Sequence, residues 1–246
     1  MKQIIVLFLS SVLFLSCSDE QIVGPILFPI DEATIGVKSK KYYSSLESDQ
    51  ILKIDDFEYN NIGQLQKKTY YGGNKEILYG YESFNYDNSA KLNYKLDYHS
   101  NINSTTGFIL LDSTIYLYTG DLLTTEKTIY PYADYFIKYS YEYDGKYLVK
   151  KITYNNEELE SYIKYEYLKN KIYKESIYSK NNTLAETKVY KYQDNVLSGI
   201  VFYSFNNEAK REISYTYNKA GKLIIEKVDE LFMFSSTMPY VVRYEY

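Results

Sequence analysis

Two tyrosine-rich runs flank a short polar turn in residues 139–155, YSYEYDGKYLVKKITYN. Before the turn every second residue is a tyrosine, and the residues between are polar or charged. This period of two predicts β-strands, because successive strand side chains point to opposite faces. Asp144 and Gly145 tolerate positive φ, which favours a tight connection. The stretch therefore predicts one β-hairpin.

The same unit, an aromatic residue, any residue, a tyrosine and a polar turn, recurs along the chain. Its copies are FEYNNIGQL (57–65), FNYDNSAKL (84–92), YLYTGDLL (116–123), YEYDGKYL (141–148), YEYLKNKI (165–172), YKYQDNVL (190–197), YTYNKAGKL (215–223) and a final YEY (244–246). The central copies lie about 25 residues apart, which is the length of one hairpin. Short connections join antiparallel neighbours, so about sixteen strands should follow one another in an up-and-down order. We expect an all-β antiparallel meander whose sheet is curved or partly closed.

The strand period also predicts which side chains share a face. Seven tyrosines should form one aromatic face on successive repeats: Tyr139, Tyr141, Tyr143, Tyr165, Tyr167, Tyr215 and Tyr217. Two interpretations of this face are open: the rings form cross-strand pairs that stabilise the sheet, or they bind a glycan or an envelope protein. In KLNYKLDYH the same rule places Leu92, Tyr94, Leu96 and Tyr98 on the apolar face, opposite Lys95, Asp97 and His99.

The turn after each tyrosine resembles a known repeat. Tyr217 to Leu223, YNKAGKL, and Tyr59 to Leu65, YNNIGQL, are similar to the YD repeat of the RHS family. That resemblance covers roughly residues 57–246 and implies a β-shell or an extracellular β-module. The chain looks most like short lipoproteins with YD repeats, of the Bacteroidota type, whose function is uncharacterised.

The first residues, MKQIIVLFLSSVLFLSCSDE, place one lysine before an apolar run that ends at Cys17, the only cysteine. This segment resembles a bacterial lipoprotein signal, which implies cleavage after residue 16, lipidation of Cys17 and membrane attachment through the lipid. The alternative is an ordinary buried thiol. We expect a signal peptide at 1–16, a lipidated N-terminus and tether at 17–40, and a β-repeat domain at 41–246.

The four residues after the cysteine, Ser18 to Gln21, resemble the export segment of some Bacteroidota lipoproteins; the alternative is a solvated linker. The expected location is the outer membrane, on its periplasmic or its cell-surface side.

Composition and net charge argue against several classes of function, among them nucleic-acid binding and metal binding. The 33 Tyr and 11 Phe favour strands, and the net charge of −4 offers no basic stripe for nucleic acid. Metal ligands are scarce, because His99 is the only histidine, and it opens a polar segment where we expect a surface loop. Adjacent acids such as Asp55-Asp56 should point to opposite faces, so they cannot converge locally on a substrate. We expect no metal and no cofactor.

The sequence therefore favours a membrane-anchored envelope lipoprotein that acts as a non-catalytic binding or scaffolding module, not an enzyme. The alternative is a carbohydrate-active enzyme or a glycan-binding protein that uses carboxylates and tyrosines of the aromatic face. A membrane-spanning barrel would end in an aromatic such as Tyr246, but its lipid-facing band should be apolar, whereas one strand face here carries many Lys and Glu.

Overall fold

The computed structural model describes residues 36–101, 107–231 and 240–246. The predicted signal peptide, Cys17 and the tether up to residue 35 lie outside the described residues. The sixteen described strands are β1 (Ser39–Tyr43), β2 (Ile51–Tyr59), β3 (Leu65–Gly72), β4 (Leu78–Tyr86), β5 (Leu92–Ser100), β6 (Phe108–Thr119), β7 (Leu122–Tyr130), β8 (Tyr135–Asp144), β9 (Tyr147–Asn155), β10 (Glu158–Leu168), β11 (Lys171–Ser179), β12 (Leu184–Gln193), β13 (Val196–Ser204), β14 (Ala209–Tyr217), β15 (Leu223–Glu230) and β16 (Tyr240–Glu245). Across those three ranges, no helix has the length and apolar character needed to cross a membrane.

All sixteen strands are antiparallel to their neighbours in chain order, which confirms the predicted meander of hairpin repeats. The expectation of a curved or partly closed sheet is wrong in one respect, because the sheet closes completely into a barrel. The first strand pairs with the last, with Lys41 opposite Arg243 and Tyr43 opposite Val241. Closure removes the exposed edges that an open sheet of this size would leave.

The polar residue of the repeat stabilises its turn. Asn218 Oδ1 accepts hydrogen bonds from the backbone N–H groups of Ala220 (2.9 Å) and Lys222 (3.0 Å). The fourth residue of the turn, Gly221, has a φ of 75°, which glycine adopts without strain. Asn60 and Asp87 cap the equivalent turns in the same way. The Tyr-Asn or Tyr-Asp pair is thus a turn device at these positions.

The remaining turns within the repeats include two-residue loops in which both residues have positive φ. Asn156 and Glu157 connect β9 to β10 with φ values of 46° and 67°. Two further loops share this geometry: Lys169-Asn170 and Asp194-Asn195. Positive φ at both central residues matches the twist of the flanking strands, which explains why Asn recurs there.

A β-bulge follows seven of the repeat tyrosines, always where an even-numbered strand meets the next strand. At Tyr143, for example, the register shifts so that Glu142 pairs with Lys150 and Tyr143 with Leu148, which leaves Val149 as the extra residue. The extra residue inverts the facing of everything that follows on that strand. This shift explains why apolar and polar residues do not alternate strictly along β9 and β11.

The bulge also corrects the predicted faces of β5. Tyr86 pairs with Leu92 but Asn85 pairs with Tyr94, so Asn93 is the extra residue. Leu92 therefore faces the barrel interior, while Tyr94, Leu96 and Tyr98 face outward. The charged side chains of Lys95, Asp97 and His99, predicted on the solvent face, lie on the inner face instead.

The apolar core lies on the inner face of the barrel wall. One buried cluster spans β9 to β13, and a second joins Val37, two residues before β1, to β15 and β16. The members of the first cluster are Leu148, Tyr165, Ile172, Tyr190, Leu197, Ile200 and Phe202. Rings of neighbouring strands pack against one another, so the repeat tyrosines hold the wall together.

Candidate functional site: the inner wall of the barrel

The second tyrosine of the repeat connects neighbouring strands at one end of the barrel. Its hydroxyl donates a hydrogen bond to a backbone carbonyl at the start of the preceding strand, or just before β1 in the first case. The seven bonds are Tyr59 to Val37 (2.8 Å), Tyr86 to Leu65 (3.0 Å), Tyr143 to Leu123 (2.9 Å), Tyr167 to Leu148 (3.0 Å), Tyr192 to Ile172 (2.9 Å), Tyr217 to Leu197 (2.7 Å) and Tyr246 to Leu223 (2.8 Å). Burial raises the pKa of Tyr192 to about 12, so the hydroxyl keeps its proton at neutral pH. We call this row the tyrosine ring.

The structure brings all seven predicted face residues onto the inner wall. Three of them, Tyr143, Tyr167 and Tyr217, belong to the tyrosine ring and use their hydroxyls to bond backbone. A donor that already bonds a carbonyl is not available to a ligand without loss of that bond. These three side chains therefore serve the wall itself.

The other four tyrosines lie further along the barrel axis than the tyrosine ring: Tyr141, Tyr165 and Tyr215 form the next row, and Tyr139 lies in the row after it. Tyr165 is buried, and Tyr215 packs against both core clusters. Tyr139 lies beside Lys151, whose Nζ is 3.9 Å from the centroid of the ring. Tyr141 donates its hydroxyl to Glu126 Oε2 at 2.8 Å. The row that contains Tyr141, Tyr165 and Tyr215 is thus partly polar, and it continues around the barrel.

A row of charged side chains pairs with the first aromatic of each repeat. Across from these aromatics the register places Lys40, Lys68, Lys95, Glu126, Lys151, Glu175, Ile200 and Glu226. We call this row the charged ring. Seven of its eight members are charged, which the aromatic repeat alone did not predict.

The first tyrosine of the repeat donates its hydroxyl to a buried carboxylate of the charged ring at two places. Tyr190 donates to Glu175, which Lys188 also contacts at 3.0 Å, and Tyr244 donates to Glu226 at 3.1 Å. Burial, and then the carboxylate charge, raises the pKa of Tyr190 and of Tyr244 well above the ordinary value. Burial also raises the pKa of Glu226. Buried acids that are bonded in this way are stable parts of the wall.

Strands β2 to β5 carry a denser set of inner charges. Asp55 is almost fully buried, accepts a hydrogen bond from the Tyr42 hydroxyl at 2.9 Å and contacts Lys53 Nζ at 3.0 Å. Its neighbour in sequence, Asp56, lies on the outer face and pairs with Lys75, which confirms that the adjacent acids diverge.

Glu82 accepts a hydrogen bond from Lys95 at 2.8 Å. Burial acts to raise the pKa of Glu82, but the hydrogen bonds donated by Lys95 and Tyr70 outweigh it, so that the pKa lies below its ordinary value. This carboxylate is therefore ionised at neutral pH and is held by its partners.

Two aspartates face each other on the inner wall of β5 and β6. Asp97 pairs with Asp112 in the register, and the Oδ1 atom of each is buried without a hydrogen-bond partner. Burial raises the pKa of both carboxyls, and for Asp97 the charges of Glu82 and Asp112 add to the effect. His99 lies within β5 and not in a loop, with Nε2 at 3.7 Å from Asp97 Oδ1. The aspartates are the least satisfied acids of this inner patch.

The sequence does contain a signal for the charged ring. Glu126, Lys151, Glu175, Ile200 and Glu226 follow one another at steps of 25, 24, 25 and 26 residues, the same period as the tyrosines. The signal was missed because the bulge moves these residues to the face opposite the one that simple alternation predicts. In the described ranges, His, Cys, Asp and Glu side chains form no group of three or more that could hold a metal ion.

Comparison with known proteins concerns the fold. No family model matches the chain, and no curated protein matches it. The crystal structure of a porin-like protein from Bacteroides uniformis is similar, with a TM-score of 0.51 and 12% sequence identity over 86% of this chain and 96% of that chain. A porin-like protein from Bacteroides vulgatus aligns with a TM-score of 0.37 and 11% identity over 85% of this chain and 98% of that chain, which is too low to carry an argument. The first similarity supports the all-β barrel fold and extends no further than the fold.

Proposed function

We propose that this chain is an envelope lipoprotein, anchored through Cys17, whose barrel is a non-catalytic binding or scaffolding module. The apolar run that ends at the single cysteine supports the anchor. The similarity to a porin-like Bacteroides protein supports an envelope location. The barrel then stands on the periplasmic or the cell-surface side of the outer membrane.

The observation that carries this proposal is the charged outer wall of the barrel. Ion pairs join neighbouring outer positions over most of the circumference: Lys67–Glu58 (3.8 Å), Lys150–Glu142 (3.5 Å), Lys174–Glu166 (2.9 Å), Lys191–Glu212 (2.8 Å), Lys227–Asp229 (2.9 Å) and Lys41–Glu245. A lysine on the lipid face of a barrel costs about 2–4 kcal/mol at the bilayer midplane. A wall with many such residues favours water, so a lipid anchor and not the barrel would hold the protein at the membrane.

The inner wall suits a binding or scaffolding role, because the three acids of the charged ring already accept hydrogen bonds from tyrosines of the wall: Glu126 from Tyr141, Glu175 from Tyr190 and Glu226 from Tyr244. Tyrosine rings beside carboxylates and lysines suit a polar ligand such as a glycan, or a polar segment of an envelope protein.

The experiment that tests the anchor replaces Cys17 with Ser in cells fed an alkyne fatty acid. We expect the wild type to be labelled and to stay with the membrane through a high-salt wash, whereas Cys17→Ser loses the label. Ser18→Ala is the matched control and should keep the label. Label on the Cys17→Ser variant, or none on the wild type, would refute the anchor. External protease on intact cells then distinguishes the two sides of the membrane.

A further inference from the structure

The outer wall of the barrel carries no charged side chain on the described residues of β4, β5 and β6, whereas ion pairs cover it elsewhere. The charged side chains of these strands, Glu82, Lys95, Asp97 and Asp112, face inward. The bulge at Asn93 contributes on β5, because it turns the apolar residues of that strand outward. The outer face of β4, β5 and β6 is therefore rich in apolar residues, unlike the charged remainder of the outer wall.

Register pairs and ring contacts define this outer face. Tyr81 pairs with Tyr98 and the rings stack with centroids 4.8 Å apart, while Tyr94 pairs with Ile115. With Leu96 and Leu117 these residues make up what we call the apolar outer face. Tyr94, Ile115 and Leu117 are 37%, 39% and 55% exposed. Contiguous exposed apolar surface of this kind marks an interaction site.

The charges around the apolar outer face are cationic. None of the described residues on the outer side of β4, β5 and β6 is charged. On the flanking strands, the outer side chains nearest to it include Lys127 and Lys67, and Lys67 also lies 3.8 Å from Glu58 one strand further away. In a chain whose net charge is −4, a sector without outward acids between two lysines is complementary to a negatively charged surface.

We infer that the apolar outer face lies on a membrane surface that contains anionic phospholipid, with Ile115 and Leu117 entering the interface. Apolar residues outside and polar residues inside are the pattern of lipid-facing strands. Tyrosines are enriched at the level of the headgroups, and lysines close to anionic lipid are favourable. A second copy of the chain suits the face less well, because its own lysines would meet those of its partner.

This inference extends the proposed function, since an acyl anchor would keep the barrel within reach of the membrane. It does not require the barrel to span the bilayer. The ion pairs on the other sectors of the outer wall remain in water, while one sector rests on the headgroups. The barrel would then have a fixed orientation on the membrane.

Vesicle flotation tests the contact without the anchor. The protein is residues 31–246, which contain all sixteen strands but neither Cys17 nor the apolar stretch at 22–30; circular dichroism confirms that it is folded. We expect it to bind vesicles of equimolar phosphatidylethanolamine and phosphatidylglycerol, and to bind neutral phosphatidylcholine vesicles more weakly. The double variant Tyr94→Glu/Leu117→Glu should bind the anionic vesicles about tenfold more weakly or worse, because two apolar contacts are lost.

The matched control is Tyr173→Glu/Leu168→Glu, at positions that are 44% and 60% exposed on β11 and β10. It should bind as the unsubstituted protein does. Failure of the unsubstituted protein to bind anionic vesicles, or equal binding by the two double variants, would overturn the inference. So would a dimer in sedimentation analysis that Tyr94→Glu/Leu117→Glu dissociates, since the face would then join two copies. Loss of fatty-acid labelling in cells bears on the anchor alone, so the two ideas can fail separately.

Discussion

Tyr167 provides the sharpest test of how the tyrosine ring stabilises the barrel. Its hydroxyl donates to the Leu148 carbonyl at 3.0 Å, and its ring packs against the first core cluster and lies 4.9 Å from the Tyr147 ring. Tyr167→Phe removes the hydrogen bond and keeps the ring, so unfolding should become easier by about 1 kcal/mol. Tyr167→Ala also removes the packing and should cost about 3 kcal/mol, at the low end for aromatic core truncation because the ring is half-buried.

Thermal unfolding followed by circular dichroism measures both variants. For a domain of this size, each kcal/mol lowers Tm by about 2–4 °C. Tyr173→Phe and Tyr173→Ala are the controls, because this exposed tyrosine is the extra residue of the bulge in β11 and is no member of the ring; each should cost less than about 0.5 kcal/mol. If the Tyr167 variants match these controls, the ring does not stabilise the wall and the argument is wrong.

The remaining predictions concern the two facing aspartates. The pKa of Asp112 is raised above the ordinary 3.8, so its contribution to stability is fully present below that pH and is lost as pH rises through the folded-state pKa. Asp112→Asn should therefore raise Tm near neutral pH, and the gain should vanish in acid; a gain that persists at low pH would contradict the cause given. Asp97→Asn should act in the same direction, and because the Asp112 charge raises the pKa of Asp97, the double variant should gain less than the sum.

Much of the fold could be predicted because its signal is local. The hairpins show a two-residue period and a turn residue that tolerates positive φ, as Gly145 and Asn156 do. Repetition of that signal then gives the number of strands and their order. The prediction that Tyr141 and Tyr143 share a face followed from the same period, and the structure places both on the inner wall.

Closure could not be predicted and the charged ring was missed, because neither follows from the alternation of residues within one hairpin. Whether β1 meets β16 depends on the sum of twist and register around the whole sheet, and the bulges set both. One bulge, at Asn93, reverses the facing of Tyr94 and Lys95, so the period-two rule failed on β5 although the residues were assigned to the right strand. The lipidation site stays a prediction, since Cys17 lies outside the described residues.

Closure of the barrel is the central claim, and a cysteine pair across its seam tests it most directly. Residues 31–246 contain no cysteine, so Lys41→Cys/Arg243→Cys introduces the only two thiols, at paired positions of β1 and β16. The control Lys41→Cys/Ile225→Cys places the second thiol one strand further, at about twice the 4.8 Å strand spacing and beyond disulfide reach. We predict that mild oxidation closes a disulfide in the first protein and not in the second. Two free thiols in folded Lys41→Cys/Arg243→Cys protein would show that the sheet is open.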